Sequence, residues 1–479
     1  NDNFDWWALA TRTGISQDYN LTIQGGSETM NSLFSLGYYD EKGAVKGFDY
    51  KRYNFRLKTA YKPLDWLTIR PMISGAMQTS DDRQYSVSAM YSMLPWDSPY
   101  GADGKPVPHK YSGWVNSNST NYIRDLQWNH ADGRNYEFMG NLDFDARITP
   151  WLTFSSVNNY KYVHSTGHGY QDPRSSGGES VQGRITEYHG QVARRYTNQK
   201  LLTSNSWGLH NLNGLLAYEF NDYWGKSTDV YGTGFVPGFE VLDITAKPER
   251  AKGGIAEWAV QSVFANARYS YDNRYLVEGS IRRDGASNLG SRAKYGTLFS
   301  ISGGWNIHRE SWFGIKAFDQ LKLRASYGSA GNRPSALYPQ YDLYSIASNY
   351  NGQPGMLISQ IGNRDLTWER TYTAGIGLDA SLWENRLRLT LDLYSKKTDN
   401  ILYNVPVTSL TGVTHVYRNI GKMDNRGIEV AIGGDLIRTK DITWSLDLNI
   451  GHNANKLTDI FRQYDPSGKY IAKPVIIGD

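Results

Sequence analysis

The sequence predicts an all-β chain folded as an antiparallel transmembrane β-barrel. Three observations predict it. Apolar and polar residues alternate along segment after segment, connections alternate between short and long, and no stretch is apolar enough for a membrane-crossing helix. The stretch "RLRLTLDLYSKK" shows the first. Leu387, Leu389, Leu391 and Leu393 point one way on a strand, and Arg388, Thr390, Asp392 and Tyr394 point the other. Such a sheet needs a different solvent on each face.

About sixteen segments read this way. They lie near 18–25, 31–40, 51–61, 66–77, 134–148, 151–164, 181–202 and 207–220, then 258–271, 274–284, 296–308, 319–328, 370–382, 386–399, 416–436 and 441–454. "LKLRASY" (321–327), "WSLDLNI" (444–450), "NLDFDARI" (141–148) and "YTAGIGLDASL" (372–382) repeat the alternation. No helical period runs as long. Every second connection is short: "GSETM", "KPLD", "TP", "TSNS", "DN", "EN", "RTK" and, longest, "ESWFGIKAFD". The intervening ones, 41–50, 78–133, 165–180, 221–257, 285–295, 329–369 and 400–415, are long. All long loops therefore emerge on one side, as in an outer-membrane barrel with short periplasmic turns and long extracellular loops.

Composition agrees. Of 479 residues only 39% are hydrophobic, 35 are Tyr and none is Cys, which removes disulfides, thiolate metal sites and cysteine nucleophiles. The formal net charge of +4 gives no electrostatic case for nucleic acid. A helix would need about twenty apolar residues, whereas a barrel strand crosses with about 9–11 alternating ones. Alternation also fits a soluble half-buried sheet such as a propeller, but no fixed repeat with a recurring signature is present. No signal peptide opens the chain, which reads as processed or incomplete.

Strand-end aromatics such as Tyr275, Trp305 and Tyr394 are read as interfacial girdles. Loop aromatics such as Trp96, Tyr100, Trp114, Tyr231 and Tyr350 either stack on a ligand or pack loops together. The candidate ligand-binding residues are Tyr91, Trp96, Asp97, Tyr100, Asp103, Tyr111 and Trp114, in the Pro/Gly-punctuated segment 91–114. Flat rings there can cover sugar faces or peptide side chains, while the two carboxylates accept hydrogen bonds. The same residues equally suit loop–loop or partner contact. His164 and His168 of "HSTGH" are not set on one face as a helix would set them, so no metal site is read. "GTGFVPG" (232–238) lacks the Lys-Ser/Thr of a phosphate loop and reads as a turn. "RRDG" (282–285) and "SDDR" (80–83) suit solvated strand ends and loop tips. No catalytic constellation and no cofactor motif is found.

Several stretches resemble the SusC/RagA family of TonB-dependent outer-membrane transporters known from Bacteroidetes. They are 20–57, "NRYLVEGSIRRDGASNLG" (273–290), "YGTLFSISGGWNIHRES" (295–311), "LKLRASYGSAGN" (321–332), 366–402 and "NIGKMDNRGIEVAI" (419–432). "DGASNLG" is similar to the family's Asp-Gly-Ser-Ser-x-Phe-Gly loop, with Ala286 and Leu289 departing from it and Gly285 and Gly290 suited to a tight turn. Trp368 and Glu369 open a strand on its loop side, where an aromatic belt is expected.

The resemblance implies a 22-stranded barrel, of which residues 1–479 are one partial domain, with an N-terminal plug and TonB box that are not seen before Asn1. The chain stops at "VIIGD" in what reads as a loop, without the final strand's aromatic, so it reads as an internal fragment. The implied function is active uptake of oligosaccharides or oligopeptides, not catalysis. Implied partners are a SusD-like surface lipoprotein and the inner-membrane TonB–ExbB–ExbD complex, reached through a segment missing here. The barrel would sit in outer-membrane lipid, and a homodimer of the transporter complex is allowed. The alternative reading is a structural or docking component of a larger outer-membrane assembly.

Overall fold

The computed structural model describes residues 3–82, 87–108, 111–116 and 120–459. Arg83 of "SDDR" and the terminal "VIIGD" lie outside the described residues. In chain order the strands are β1 (Ile15–Gly26), β2 (Met30–Lys42), β3 (Asp49–Leu64), β4 (Leu67–Asp81), β5 (His130–Thr149), β6 (Leu152–Gln171), β7 (Arg184–Trp207), β8 (His210–Thr233), β9 (Lys247–Tyr271), β10 (Tyr275–Ala286), β11 (Tyr295–Asn306), β12 (Phe318–Asn332), β13 (Leu343–Tyr350), β14 (Gln353–Gln360), β15 (Glu369–Leu382), β16 (Leu387–Asp399), β17 (Leu402–Pro406), β18 (His415–Asn419), β19 (Lys422–Arg438) and β20 (Thr443–Asp459). Among the described residues three short α-helices accompany them: α1 (Trp6–Ala10), α2 (Val87–Tyr91) and α3 (Tyr122–Asp125).

Sixteen of these strands form one sheet in chain order, with β13–β14 and β17–β18 as separate hairpins. The β13–β14 hairpin and β17 sit inside connections read as loops. The segment read as one strand over 416–436 is two, because β18 pairs with β17 while β19 pairs with β16. The turn expected at 203–206 falls later, where Gly208 takes a φ of 55°. Strands β7, β8 and β9 run 24, 24 and 25 residues, longer than the segments read from sequence. A bilayer needs only about 9–11 residues per strand, so the excess carries these strands beyond the membrane.

The chain divides into two compact units. One comprises Asn1–Phe144, Val157–Tyr196 and Asp222–Glu257; the other comprises Asp145–Ser156, Thr197–Asn221 and Trp258–Asp479. In the first, cross-strand partners build apolar rows on one face of β1–β4. Ile23, Phe34, Leu57 and Ile73 form one row; Tyr19, Tyr38, Tyr53 and Met77 form another. The Tyr38 ring lies 6.3 Å from that of Tyr19 and 4.9 Å from that of Tyr53. On the opposite face the row reads Thr22, Ser35, Arg56 and Ser74.

The second unit repeats the scheme over five strands. Leu323, Leu378, Leu391, Val430 and Ile450 are successive partners, as are Leu321, Ala380, Leu389, Ile432 and Leu448. The other face is charged. Arg324 reaches Asp379 at 2.7 Å and Asp392 at 3.0 Å, and Arg282 reaches Glu219 at 2.6 Å and Ser262 at 2.8 Å. Asp284, read as a solvated strand end, is instead buried as a further partner of Arg282.

Many side chains of the apolar rows stand exposed, Ile23 and Leu57 in the first unit and Leu323, Ile432, Leu448 and Ile450 in the second. In each unit an apolar surface of this extent needs an apolar solvent. Exposed aromatics of the second unit mark its lower boundary at the short turns: Trp151, Trp207, Tyr275, Trp312, Trp383 and Trp444. Trp305 belongs there too, its indole N–H donating to Glu310 at 2.9 Å beside the Tyr275 hydroxyl at 2.6 Å. Tyr394 does not. It lies on the charged face, its ring covering Gly427 and its hydroxyl donating to Asn453 at 3.3 Å.

Leu391→Arg places a guanidinium in the middle of a five-residue apolar row and is expected to cost about 2–4 kcal/mol near the bilayer midplane. Thr390→Arg, on the polar face, should be far milder. Urea titration of each variant folded into lipid vesicles measures the difference, and equal losses would contradict the assigned faces.

Candidate functional site

The buried apolar clusters lie among the long connections and the strand ends that bear them. The first joins α1 to the connection between β4 and β5. Asp5 caps α1 by accepting from the Ala8 N–H at 2.9 Å, and the "WWALA" that follows buries Trp6 and Ala10 against Met90, Met93, Val107, Trp114 and Tyr122. Polar clasps then fix the loop. The Trp6 indole donates to the Asp97 carbonyl at 3.0 Å, the Trp114 indole to the Ser98 carbonyl at 2.7 Å, and the Tyr122 hydroxyl to the Trp6 carbonyl at 2.9 Å. Asn121 donates to Pro99 and Val107 at 2.8 and 2.9 Å.

This arrangement divides the seven residues chosen from sequence. Trp114 is 5% exposed and packs edge-on against Trp6 at 5.6 Å. Asp97 is 1% exposed, and its carboxylate accepts the backbone N–H of Val115 and Asn116 at 2.7 and 3.0 Å. Both hold the loop together, and neither is open to a ligand. Asp103 is exposed and closes a local turn by accepting from the Lys105 N–H at 3.1 Å. The remaining four present rings outward. Tyr91 is 74% exposed and stacks on Trp7 at 5.1 Å, Trp96 is 56% exposed, and Tyr100 and Tyr111 are exposed by smaller margins. Trp7 is the member that the sequence reading missed. Its signal was available: an Asp cap followed by a short apolar run, in which Trp6 turns inward and Trp7 outward. Tyr231 lies within β8 beneath the Arg184 guanidinium, 5.1 Å from its ring centre. The Tyr350 side chain is outside the described residues.

A cleft of about 710 Å³ opens at the loop-side ends of β4 and β5, lined by Ser80, Asp81, Asp82, Asn129, His130 and Asp132 among others. Its volume falls in the range of sites for small ligands. Beside it, Asp172 organises the turn between β6 and β7. Its carboxylate accepts from the Arg174 backbone at 2.9 Å, from Arg174 Nε at 2.7 Å and from the Tyr170 hydroxyl at 3.2 Å. Arg174 also covers the Trp128 ring at 4.6 Å. The Arg174 hydrogen bonds outweigh burial and hold the Asp172 carboxyl below its ordinary value.

In the second unit, "DGASNLG" packs against the connection before β15. Leu289 and Leu366 are fully buried with Ala286 and Trp368. Gly290 opens a tight turn closed by the Ala293 N–H donating to its carbonyl at 3.0 Å, and it does so without a left-handed backbone. A Cβ there would lie 2.1 Å from the Arg364 carbonyl oxygen, so glycine permits the close approach that lets its N–H donate to Leu366 at 2.8 Å. Trp368 is likewise buried, donating to the Lys294 carbonyl at 3.1 Å, and is no part of an interfacial belt. His164 and His168 both lie within β6 on one face, so it is separation that parts them. Four residues of strand span about 13 Å. His164 stacks near Tyr136, and His168 meets Glu187.

The TonB dependent receptor-like β-barrel family matches residues 74–474. TonB-dependent receptor P39 of Formosa agariphila is 28% identical, over 93% of this chain and 43% of its own length. TonB-dependent receptor SusC of Bacteroides thetaiotaomicron is 25% identical, over 96% of this chain and 48% of its own. The chain thus spans a little under half the length of these relatives. Among solved structures, the RagAB peptide transporter superposes with a TM-score of 0.85 at 22% identity, covering 97% of this chain and 54% of that one. That likeness is one of fold.

Trp114→Ala removes a buried ring and is expected to cost the loop about 3–5 kcal/mol. Limited trypsin digestion of the folded protein should then cut after Arg124, in the same connection, while the strands stay resistant; unchanged resistance would sink the clasp. For Asp172 the lowered folded value means that its contribution is full above the unfolded value of about 3.9 and fades as pH falls through the folded one. Opening across 172–178, read as amide exchange relative to the intrinsic rate at each pH, should accelerate below about pH 4 in the native chain. In Asp172→Asn it should be fast at every pH.

Proposed function

This chain belongs to the TonB-dependent receptor β-barrel family of the outer membrane, a family of receptors and not of enzymes, and we propose that it is the barrel of a nutrient importer. The observation that carries this reading is the two-faced sheet. Its exposed apolar rows suit hydrocarbon, its charged face suits a wet interior, and its apolar clusters are gathered among the loops and their strand ends. A barrel built this way spends its long connections on recognition.

Residues 1–479 are read as one barrel domain. The cargo is an oligosaccharide or an oligopeptide, met first by Trp7, Tyr91, Trp96, Tyr100 and Tyr111, whose rings can cover sugar faces or apolar side chains. Energy comes from the TonB complex of the inner membrane, and a SusD-like lipoprotein covers the loops. The RagAB peptide transporter supports the peptide class only as a similar protein, and the oligosaccharide class rests on the family resemblance.

The docking alternative has its own support. Asp97, Asn121 and Trp114 make the β4–β5 connection a rigid platform, as a surface that seats a partner protein would be.

Uptake of labelled oligosaccharides and oligopeptides by cells with and without the gene tests the importer. Trp96→Ala should weaken cargo binding while barrel assembly and lipoprotein association stay intact. If binding holds and lipoprotein association falls instead, the aromatic surface is a docking site. Epitope tags at 101–104 or 173–178 should be reached by antibody on intact cells, and tags at 150–151 or 384–385 only after the outer membrane is opened.

A further inference from the structure

Two histidines and a glutamate from three separate segments converge on the loop side of the first unit. His130 opens β5, His168 lies on β6, and Glu240 comes from the connection between β8 and β9. One ligand atom from each lies within 4.8 Å of the others. His130 Nε2 is 2.9 Å from Glu240 Oε2, and His168 Nε2 is 3.8 Å from the same oxygen.

The opposite nitrogen of each ring decides what these atoms are. His130 Nδ1 lies 3.1 Å from the Trp128 carbonyl oxygen, which can only accept, so Nδ1 carries the proton. His168 Nδ1 lies 2.7 Å from Glu187 Oε1, which imposes the same tautomer. In a ring whose Nδ1 donates, Nε2 is directed at Glu240, and at 2.9 Å the His130 nitrogen and that carboxylate share either a proton, as a hydrogen bond, or a metal ion. A divalent cation at that point takes the two Nε2 lone pairs and the carboxylate oxygen in place of the shared proton. The His130 ring is held in plane by stacking on Tyr170 at 5.1 Å, so it is not free to turn away.

We propose that His130, His168 and Glu240 form a binding site for a divalent transition-metal ion, Zn²⁺ first among them. Tetrahedral Zn²⁺ with bonds of about 2.0–2.1 Å sets its ligand atoms about 3.3 Å apart. The two separations to Glu240 bracket that value, and the two histidine nitrogens lie within 4.8 Å of each other. Two imidazoles and one carboxylate suit Zn²⁺, Ni²⁺ or Cu²⁺ and disfavour Ca²⁺ and Mg²⁺, which take oxygen ligands. Glu187 and the Trp128 carbonyl are positioning groups, fixing tautomer and ring direction. The fourth position is left to water or to a donor atom of a bound molecule. Bound metal ties the connection carrying Glu240 to β5 and β6, at the wall of the cleft that His130 lines.

The test uses the whole chain refolded in detergent micelles, freed of metal and dialysed against micromolar Zn²⁺. One tightly held Zn²⁺ per chain is expected, with affinity lowered at least about tenfold in His130→Ala, His168→Ala and Glu240→Gln, and about 10–100-fold in Glu187→Gln. His164→Ala should bind as the native chain does. Co²⁺ in place of Zn²⁺ should give the intense visible absorption of a tetrahedral site, and Zn²⁺ should slow amide exchange across 237–242 only when Glu240 is present. Variants are first checked for native heat-modifiable migration, so that misfolding is not read as lost binding. The proposal is overturned if the native chain holds no Zn²⁺ at neutral pH, or if binding survives all three substitutions.

Discussion

A backbone amide or carbonyl left without a partner in hydrocarbon costs several kcal/mol, and that penalty governs this structure. Each strand must be paired along its length, so sixteen strands follow one another as neighbours in a single sheet. Pairing in turn forces side chains to alternate between two faces with opposite needs. The apolar row through Leu323, Leu378, Leu391, Val430 and Ile450 and the charged set of Arg324, Asp379 and Asp392 are one consequence seen from two sides.

With hydrocarbon outside the sheet, the usual place for a protein's core is taken. The buried clusters move to the long connections and the strand ends beside them, where water makes apolar burial favourable again. Trp6 and Trp114 pack there, and so do Leu289 and Leu366. Segments that would otherwise be pliant become folded surfaces with fixed outward groups. Stacking of Tyr91 on Trp7 is one such group, and the convergence of His130, His168 and Glu240 is another. The outward groups are held by the same burial that stabilises the loops, which explains why loop aromatics divide between interior and exterior.

Glycine and aromatic side chains settle the local fits. Gly290 admits a neighbouring backbone, whereas Gly427 is covered by the Tyr394 ring on the adjacent strand. In neither place is a left-handed backbone the reason. Close approach across strands and loops is.

Period-two alternation is local, so Leu387 to Leu393 declared their strand, its faces and their solvents without any tertiary knowledge, and loop lengths declared which end bears the long connections. The sixteen strands of the sheet were legible for that reason, save where β18 and β19 merged because nothing local says which strand each pairs with. Burial within a loop is not local. Asp97 and Trp114 resemble Asp103 and Trp96 in sequence, yet distant Trp6 and the backbone of Val115 and Asn116 turned the first pair inward. The histidines show the same limit. His164 and His168 are neighbours in sequence and stay apart on a rising strand, while His168 finds His130 and Glu240 across the fold, because only the fold sets distances between residues far apart in the chain.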